Sequence, residues 1–161
     1  MANTTSQNGK NLIKQNEGTC LTVKGDNKGP QIGHGHDLTP AELASGTVNI
    51  GGEQVIYRFG ITLAQADALL DTDLAATYEP AVNRQAPQAN QNQFDALVDF
   101  TYNLGVGPLA TMLHHGFDQA PAHIPAWCYA EIDGVEQKVP ALEARRQAEV
   151  ELFNTPVAQS T

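Results

Sequence analysis

Three times along this chain the start of a helix is written into the side chains. Thr39-Pro40-Ala41-Glu42, Thr62-Leu63-Ala64-Gln65 and Asn90-Gln91-Asn92-Gln93 each set a Thr or Asn three positions ahead of a Glu or Gln. In such a capping box the first side chain accepts from the backbone N–H of the fourth residue, and the fourth reaches back to the N–H of the first. Two donors that a helix start leaves without partners are thereby paired. The first box, with Pro40 at the opening helical position, predicts a short helix. The second opens a helix whose apolar stripe is Ala66, Leu69, Leu70, Leu74 and Val82; Pro80, inside that stripe, predicts a kink or a restart. The third opens a helix with Phe94, Leu97 and Val98 at helical spacing, ending near Asn103-Leu104-Gly105.

The rest of the chain falls into place around these starts. Asn8 to Glu17 reads as a short helix with Leu12 and Ile13 inward and Gly18 as its stop. Leu21 and Val23 are strand-like, Gly25-Asp26-Asn27 is turn chemistry, and Gly29-Pro30 is a second break. Gly33-His34-Gly35-His36 has two glycines in four residues, which predicts backbone packed closely against something. Thr47 to Phe59 reads as a β-hairpin around Gly51-Gly52. Later, Pro108 starts a helix through His115, Pro121 and Pro125 interrupt, and Pro140 opens a last helix carrying Leu142, Arg145, Arg146, Val150, Leu152 and Phe153. The order predicts an α+β chain with its strands early.

Composition narrows the function classes. With 161 residues, 41% of them hydrophobic, the chain can bury the core of one domain or of two small lobes. No run of about 18 apolar residues spans a membrane, and the polar segment Met1–Gly9 is expected not to be a signal peptide. A net charge of −9 argues against nucleic acid and anionic bilayers as partners. Cys20 and Cys128 read as free thiols, a disulfide being the alternative. Neither His34/His36 nor His114/His115 is completed into a metal-ligand pattern, so neither a metal nor another cofactor is expected.

Two carboxylates are placed for chemistry. Glu17 precedes the glycine that ends the first helix, where its side chain can point off the tip, and Asp26 follows nine residues later in a turn. Cleaving a glycosidic bond requires one carboxyl that donates a proton to the leaving oxygen and one that handles water or the developing positive charge. Among 18 acidic residues such a pair is expected by chance, so the wider constellation decides.

The stretch Leu12-Ile13-Lys14-Gln15-Asn16-Glu17-Gly18, then Asp26, then Ile32-Gly33-His34-Gly35-His36, resembles the start of phage lysozymes of glycoside hydrolase family 24. Their pattern there is Glu-Gly, a turn acid and Thr-Ile-Gly-x-Gly-His. The likeness continues through Thr62–Ala66, Leu69-Leu70 and Asp73-Leu74. It is strongest at Gln91–Val98 with Phe100, Asn103 and Gly105, and closes with Trp127, Gly134, Pro140, Leu142, Arg145-Arg146 and Glu149.

The resemblance implies a lysozyme-like fold, a small β-containing N-terminal lobe and a helical C-terminal lobe joined by a long helix. The implied single domain covers 8–156, with a β-containing lobe at about 18–60, a helical lobe at about 62–156 that also takes the first helix 8–17, and flexible ends at 1–7 and 157–161. It implies a cofactor-free muramidase acting on peptidoglycan glycan strands at the β-1,4 bond between N-acetylmuramic acid and N-acetylglucosamine. Glu17 matches the catalytic acid and Asp26 the second carboxylate. Gln31 stands where the family has a threonine that helps position the attacking water, and an amide would place that water elsewhere.

Arg145 or Arg146 fits the position of the arginine that pairs with the acid; without the resemblance the two read as a solvated basic face. His36 matches a structural position bridging the lobes. His34 could line the site, though a surface histidine is the plainer reading. Tyr102 and Asn103 match residues that grip N-acetylated sugars. A lytic transglycosylase and a binding-only module remain as alternatives. The setting is either a phage endolysin or an effector domain with an immunity-protein partner, acting as a monomer on the bacterial wall or periplasm. The segment 37–61 is longer than in compact relatives.

Overall fold

The computed structural model describes residues 2–26 and 29–157. The expected turn residue Asn27, the side chain of Asp26 and the expected loose end at 158–161 lie outside the described residues. The chain divides into two compact units: Ile13–Thr77, here the β-rich unit, and Met1–Leu12 with Tyr78–Thr161, here the helical unit.

Helix α1 (Gln7–Glu17) ends where Gly18 takes a left-handed conformation, φ +74°. Three antiparallel strands follow, β1 (Cys20–Asp26), β2 (Gly29–Gly33) and β3 (His36–Asp37), with β2 in the middle. Gly29-Pro30, expected as a break, instead opens β2, and Asp26 closes β1 opposite Gly29. Thr39 caps α2 (Pro40–Ser45) with the predicted box. The hairpin β4 (Thr47–Ile50) and β5 (Glu53–Ile56) turns at Gly51 and Gly52, with φ +61° and +96°, a turn needing positive φ at both positions. Thr62 then caps α3 (Leu63–Asp73).

These elements share one core: Ile32, Leu38, Val48, Tyr57, Ile61, Ala66 and Leu69 are buried together, with Ile50 and Val55 packed against them. This explains why the division differs from the expected lobes. The apolar face of α3 packs with the sheet residues, so α3 belongs to the β-rich unit rather than to the helical one. The chain passes between units at Thr77/Tyr78, inside a π-helical segment, Leu74–Tyr78. Pro80 sits in the first turn of α4 (Glu79–Gln85), which is the predicted restart.

The helical unit is built around α5 (Gln91–Leu104), capped by Asn90 as predicted. Every residue from Phe94 to Thr101 is buried, so α5 is enclosed all round rather than on one stripe. Around it lie α6 (Val106–Leu113), α7 (Ala120–His123) flanked by 3₁₀ turns, and α8 (Pro140–Asn154). Phe100 meets Trp127 edge to face at 5.8 Å, a favoured aromatic geometry. One element escaped the sequence reading: a hairpin of β6 (Tyr129–Ile132) and β7 (Val135–Lys138), turned at Asp133 and Gly134, both with positive φ.

The expected start at residue 8 also shifts. Residues 3–6 are tied into the helical unit: Asn3 N–H donates to Asn83 Oδ1 at 2.8 Å and Asn83 Nδ2 to the Asn3 carbonyl at 2.8 Å. The Thr5 N–H donates to Glu79 Oε1 and the Ser6 N–H to Asp95 Oδ1. Cys20 and Cys128 are free thiols, half-buried and buried. Among the described residues no helix is long and apolar enough to cross a membrane, and no three His, Cys, Asp or Glu residues gather to hold a metal ion.

Candidate active site

Glu17 is the last residue of α1 and half-buried. The helix stops directly after it because the Gly18 N–H donates to the Lys14 carbonyl at 2.9 Å from a left-handed conformation that glycine adopts without strain. The Glu17 carboxyl lies against the β2–β3 turn. A Cβ built on Gly35 would come within 2.9 Å of Glu17 Oε2 and 3.1 Å of its Cγ and Cδ, and Gly35 has φ +89°. The close approach predicted for the Gly33–His36 stretch is therefore onto this carboxyl.

His34, beside Gly35 in the same turn, corrects its sequence reading. It is 2% exposed, neither a surface histidine nor one offering a ring atom to a ligand. Nδ1 lies 3.1 Å from both the Gly18 carbonyl oxygen and the Thr19 hydroxyl, and Nε2 donates to Asp67 Oδ1 at 2.9 Å. With a proton on Nε2 alone, Nδ1 accepts from Thr19; with both nitrogens protonated, it donates to Gly18. Both nitrogens are satisfied in either state. Lys14 Nζ donates to Asp67 Oδ1 at 2.9 Å, and that bond, the largest influence, together with the bond from His34 outweighs the opposing effect of burial and holds the Asp67 carboxyl below its ordinary range.

His36 faces other partners. Its Nδ1 lies 2.8 Å from Asp73 Oδ2 on α3, and its Nε2 3.2 Å from Glu42 Oε1 on α2. Both partners belong to the β-rich unit, so these two contacts of His36 lie within one unit. Burial alone would lower the pKa of His36, but Asp73 and then Glu42 outweigh it and raise it. Burial likewise pushes the Glu42 carboxyl up, and the bonds from Thr39 together with His36 outweigh it, so its pKa is lowered.

Gln31 lies on β2, paired with Lys24 on β1 and Asp37 on β3. Its amide nitrogen donates to Asp37 Oδ1 at 2.6 Å, so the amide oxygen is the group it keeps for another partner. Asp26 is held by backbone pairing at the end of β1.

The remaining predicted residues are in the helical unit. Tyr102 packs on Tyr78 with ring centroids 4.9 Å apart. Asn103 Oδ1 accepts from Arg146 Nη2 at 3.0 Å, and Asn103 is half-buried. Arg145 and Arg146 are 5% and 1% exposed, so a solvated basic face is excluded. Arg145 grips Asp99 with two bonds of 2.9 Å, and Arg146 donates to Glu149 Oε1 at 2.6 Å while lying over the Phe100 ring. Burial pushes Glu149 well up, the Asp99 carboxylate adds to that, and the arginines offset only part of it.

The β-rich unit thus gathers Glu17, Gly35 and His34 around one helix tip, while Asn103 and Arg146 meet in the helical unit. Sequence reasoning missed the partners: Asp67, Glu42, Asp73 and Asp99. For Glu149, by contrast, the i, i+3 spacing from Arg146 on one helix is a local signal.

A family model described as phage lysozyme matches residues 14–149. The endolysin of Lactococcus phage c2 is 36% identical over 160 residues, covering 97% of this chain and 62% of the endolysin, so the chain spans less than two thirds of that relative. The solved muramidase domain of SpmX from Asticaccaulis excentricus is 32% identical with a TM-score of 0.73, covering 94% of this chain and 97% of that one. The endolysin from Escherichia coli O157:H7 phage FAHEc1 superposes with a TM-score of 0.76 at 27% identity, covering 99% of both.

Proposed function

The chain belongs to the phage lysozyme family, and from that premise we propose that it hydrolyses the β-1,4 bond between N-acetylmuramic acid and N-acetylglucosamine in peptidoglycan. The carrying observation is Glu17, a half-buried carboxyl at a helix tip, pressed against the Gly35 backbone. A general acid needs that combination: a fixed direction for the proton and partial removal from water.

Glu17 gives its proton to the leaving glycosidic oxygen. Asp26, the last residue of β1, supports the oxocarbenium-like charge or deprotonates water. Gln31, its amide nitrogen held by Asp37, offers the amide oxygen to that water. If the outcome is inversion, the two carboxyls act from about 6.5–9.5 Å apart. Tyr102 and the amide nitrogen of Asn103 serve the sugar rings and their N-acetyl carbonyls. No step calls on a cofactor. Relatives that are phage endolysins favour the endolysin setting, with the bacterial cell wall as the place of action.

Mass spectrometry of the soluble products from purified peptidoglycan tests the reaction type. Reducing-end muropeptides are expected. Anhydro-ended products would mean that the sugar's own hydroxyl takes the place of water, and binding without products would mean that the site holds glycan and does not cleave it.

A further inference from the structure

We propose that His34 is a positioning residue for Glu17, completing with Thr19, Asp67 and Lys14 a clamp that fixes the helix end from which the carboxyl is aimed; this rests on the reading of Glu17 as the acid. The direction of a side chain on the last helical residue is set by the backbone around it. Here that backbone runs into Gly18, which has no side chain of its own to hold it and adopts φ +74°.

Its two backbone groups are taken instead. The Gly18 N–H goes back to the Lys14 carbonyl, and the Gly18 carbonyl lies against His34 Nδ1 together with the Thr19 hydroxyl. From the far side of the same ring, Nε2 reaches Asp67 on α3, and Asp67 also takes Lys14 Nζ, three residues before Glu17 on α1. The contacts close into a ring from Lys14 through the helix end to His34, Asp67 and back to Lys14, the helix end joining through the Thr19 hydroxyl when only Nε2 carries a proton and through the Gly18 carbonyl when both nitrogens do. The tip of α1 is therefore held on both sides of Glu17 by one imidazole and one carboxylate.

Burial makes the clamp stiff. The His34 side chain is 1% exposed, and leaving a buried ring nitrogen unpaired costs about 1–3 kcal/mol. The turn works twice, because Gly35, next in sequence, lies against the Glu17 carboxyl itself. A histidine that only filled the core would need neither the bond to the residue after Glu17 nor the link back to Lys14.

Asp67 is 45% exposed in its side chain and Thr19 is exposed, so both can be altered without opening a cavity. Asp67→Ala and Thr19→Val, with His34→Gln beside them, are compared with wild type for kcat, KM and thermal midpoint on a soluble glycan-strand substrate. Loosening the clamp is expected to lower kcat about fivefold to tenfold, with KM within twofold. Wild-type kcat in both surface variants, at a wild-type midpoint, would overturn the clamp. Glu17→Gln runs alongside: if it keeps wild-type turnover, the acid assignment fails and the clamp falls with it. If it is inactive while both surface variants turn over normally, only the clamp fails.

Discussion

Replacing Gly35 with alanine presses directly on the contact that orients Glu17. The added Cβ would stand 2.9 Å from Glu17 Oε2, and ordinary contact begins at 3.4 Å. Relief requires the carboxyl, as the movable end of the Glu17 side chain, to shift by about 0.5 Å from its place against the turn. Because a displacement of about 1 Å costs on the order of a hundredfold in rate, half of that predicts about a tenfold loss in kcat. The backbone adds its own cost. A φ of +89° suits glycine and strains alanine by about 1–2 kcal/mol, which should lower the melting midpoint by roughly 2–8 °C for a chain of this size. Steady-state kinetics on peptidoglycan fragments and a thermal melt read both effects from one preparation. A lowered midpoint with wild-type kcat would refute the link between Gly35 and the carboxyl's aim. An unchanged midpoint would refute the strain argument.

Three further outcomes follow from the same geometry. The pKa of His36 is raised above 6.5, so its stabilising effect is complete below that pH and is lost as pH rises through the raised value. His36→Gln should therefore destabilise most in acid and least in alkali, as urea unfolding at pH 5.5 and 9 would show; an equal loss at both would contradict the pairing with Asp73 and Glu42. Arg145→Met leaves Asp99 buried without its two bonds and should cost about 3–5 kcal/mol by denaturant titration, whereas a loss under 1 kcal/mol would mean the pair is not closed. Asn90→Ala removes the cap of α5 and should cost about 1 kcal/mol in the same assay.

What the sequence disclosed, and what it withheld, follows from how local each determinant is. The three capping boxes and the Gly51-Gly52 turn are complete within four residues, and each appears where it was expected. The second hairpin also has a local signal, Asp133-Gly134, but all four residues of β7 are exposed, so no buried alternation announced a strand. His34 looked like a surface residue because its partners, Gly18 and Asp67, stand 16 and 33 positions away. The charges Asp95 and Asp99 lie on an enclosed helix, which no amphipathic pattern anticipates; besides Gln91 on the same helix, their partners include Ser6 in the N-terminal segment and Arg145 on α8. Residues 3–6 are polar and read as loose, yet they are fixed by Asn83, Glu79 and Asp95. The site residues themselves came from motif order rather than from periodicity. Motif order carries position along the chain but says nothing of burial.

The most direct test of the account is Glu17→Gln against wild type on purified peptidoglycan, with folding checked by circular dichroism. The amide keeps the side chain's size and removes the proton it would donate. A folded variant whose release of reducing-end muropeptides falls by about a hundredfold or more is the predicted result, in line with the usual contribution of a general acid. A folded variant that releases them at the wild-type rate would contradict the claim that Glu17 is the acid.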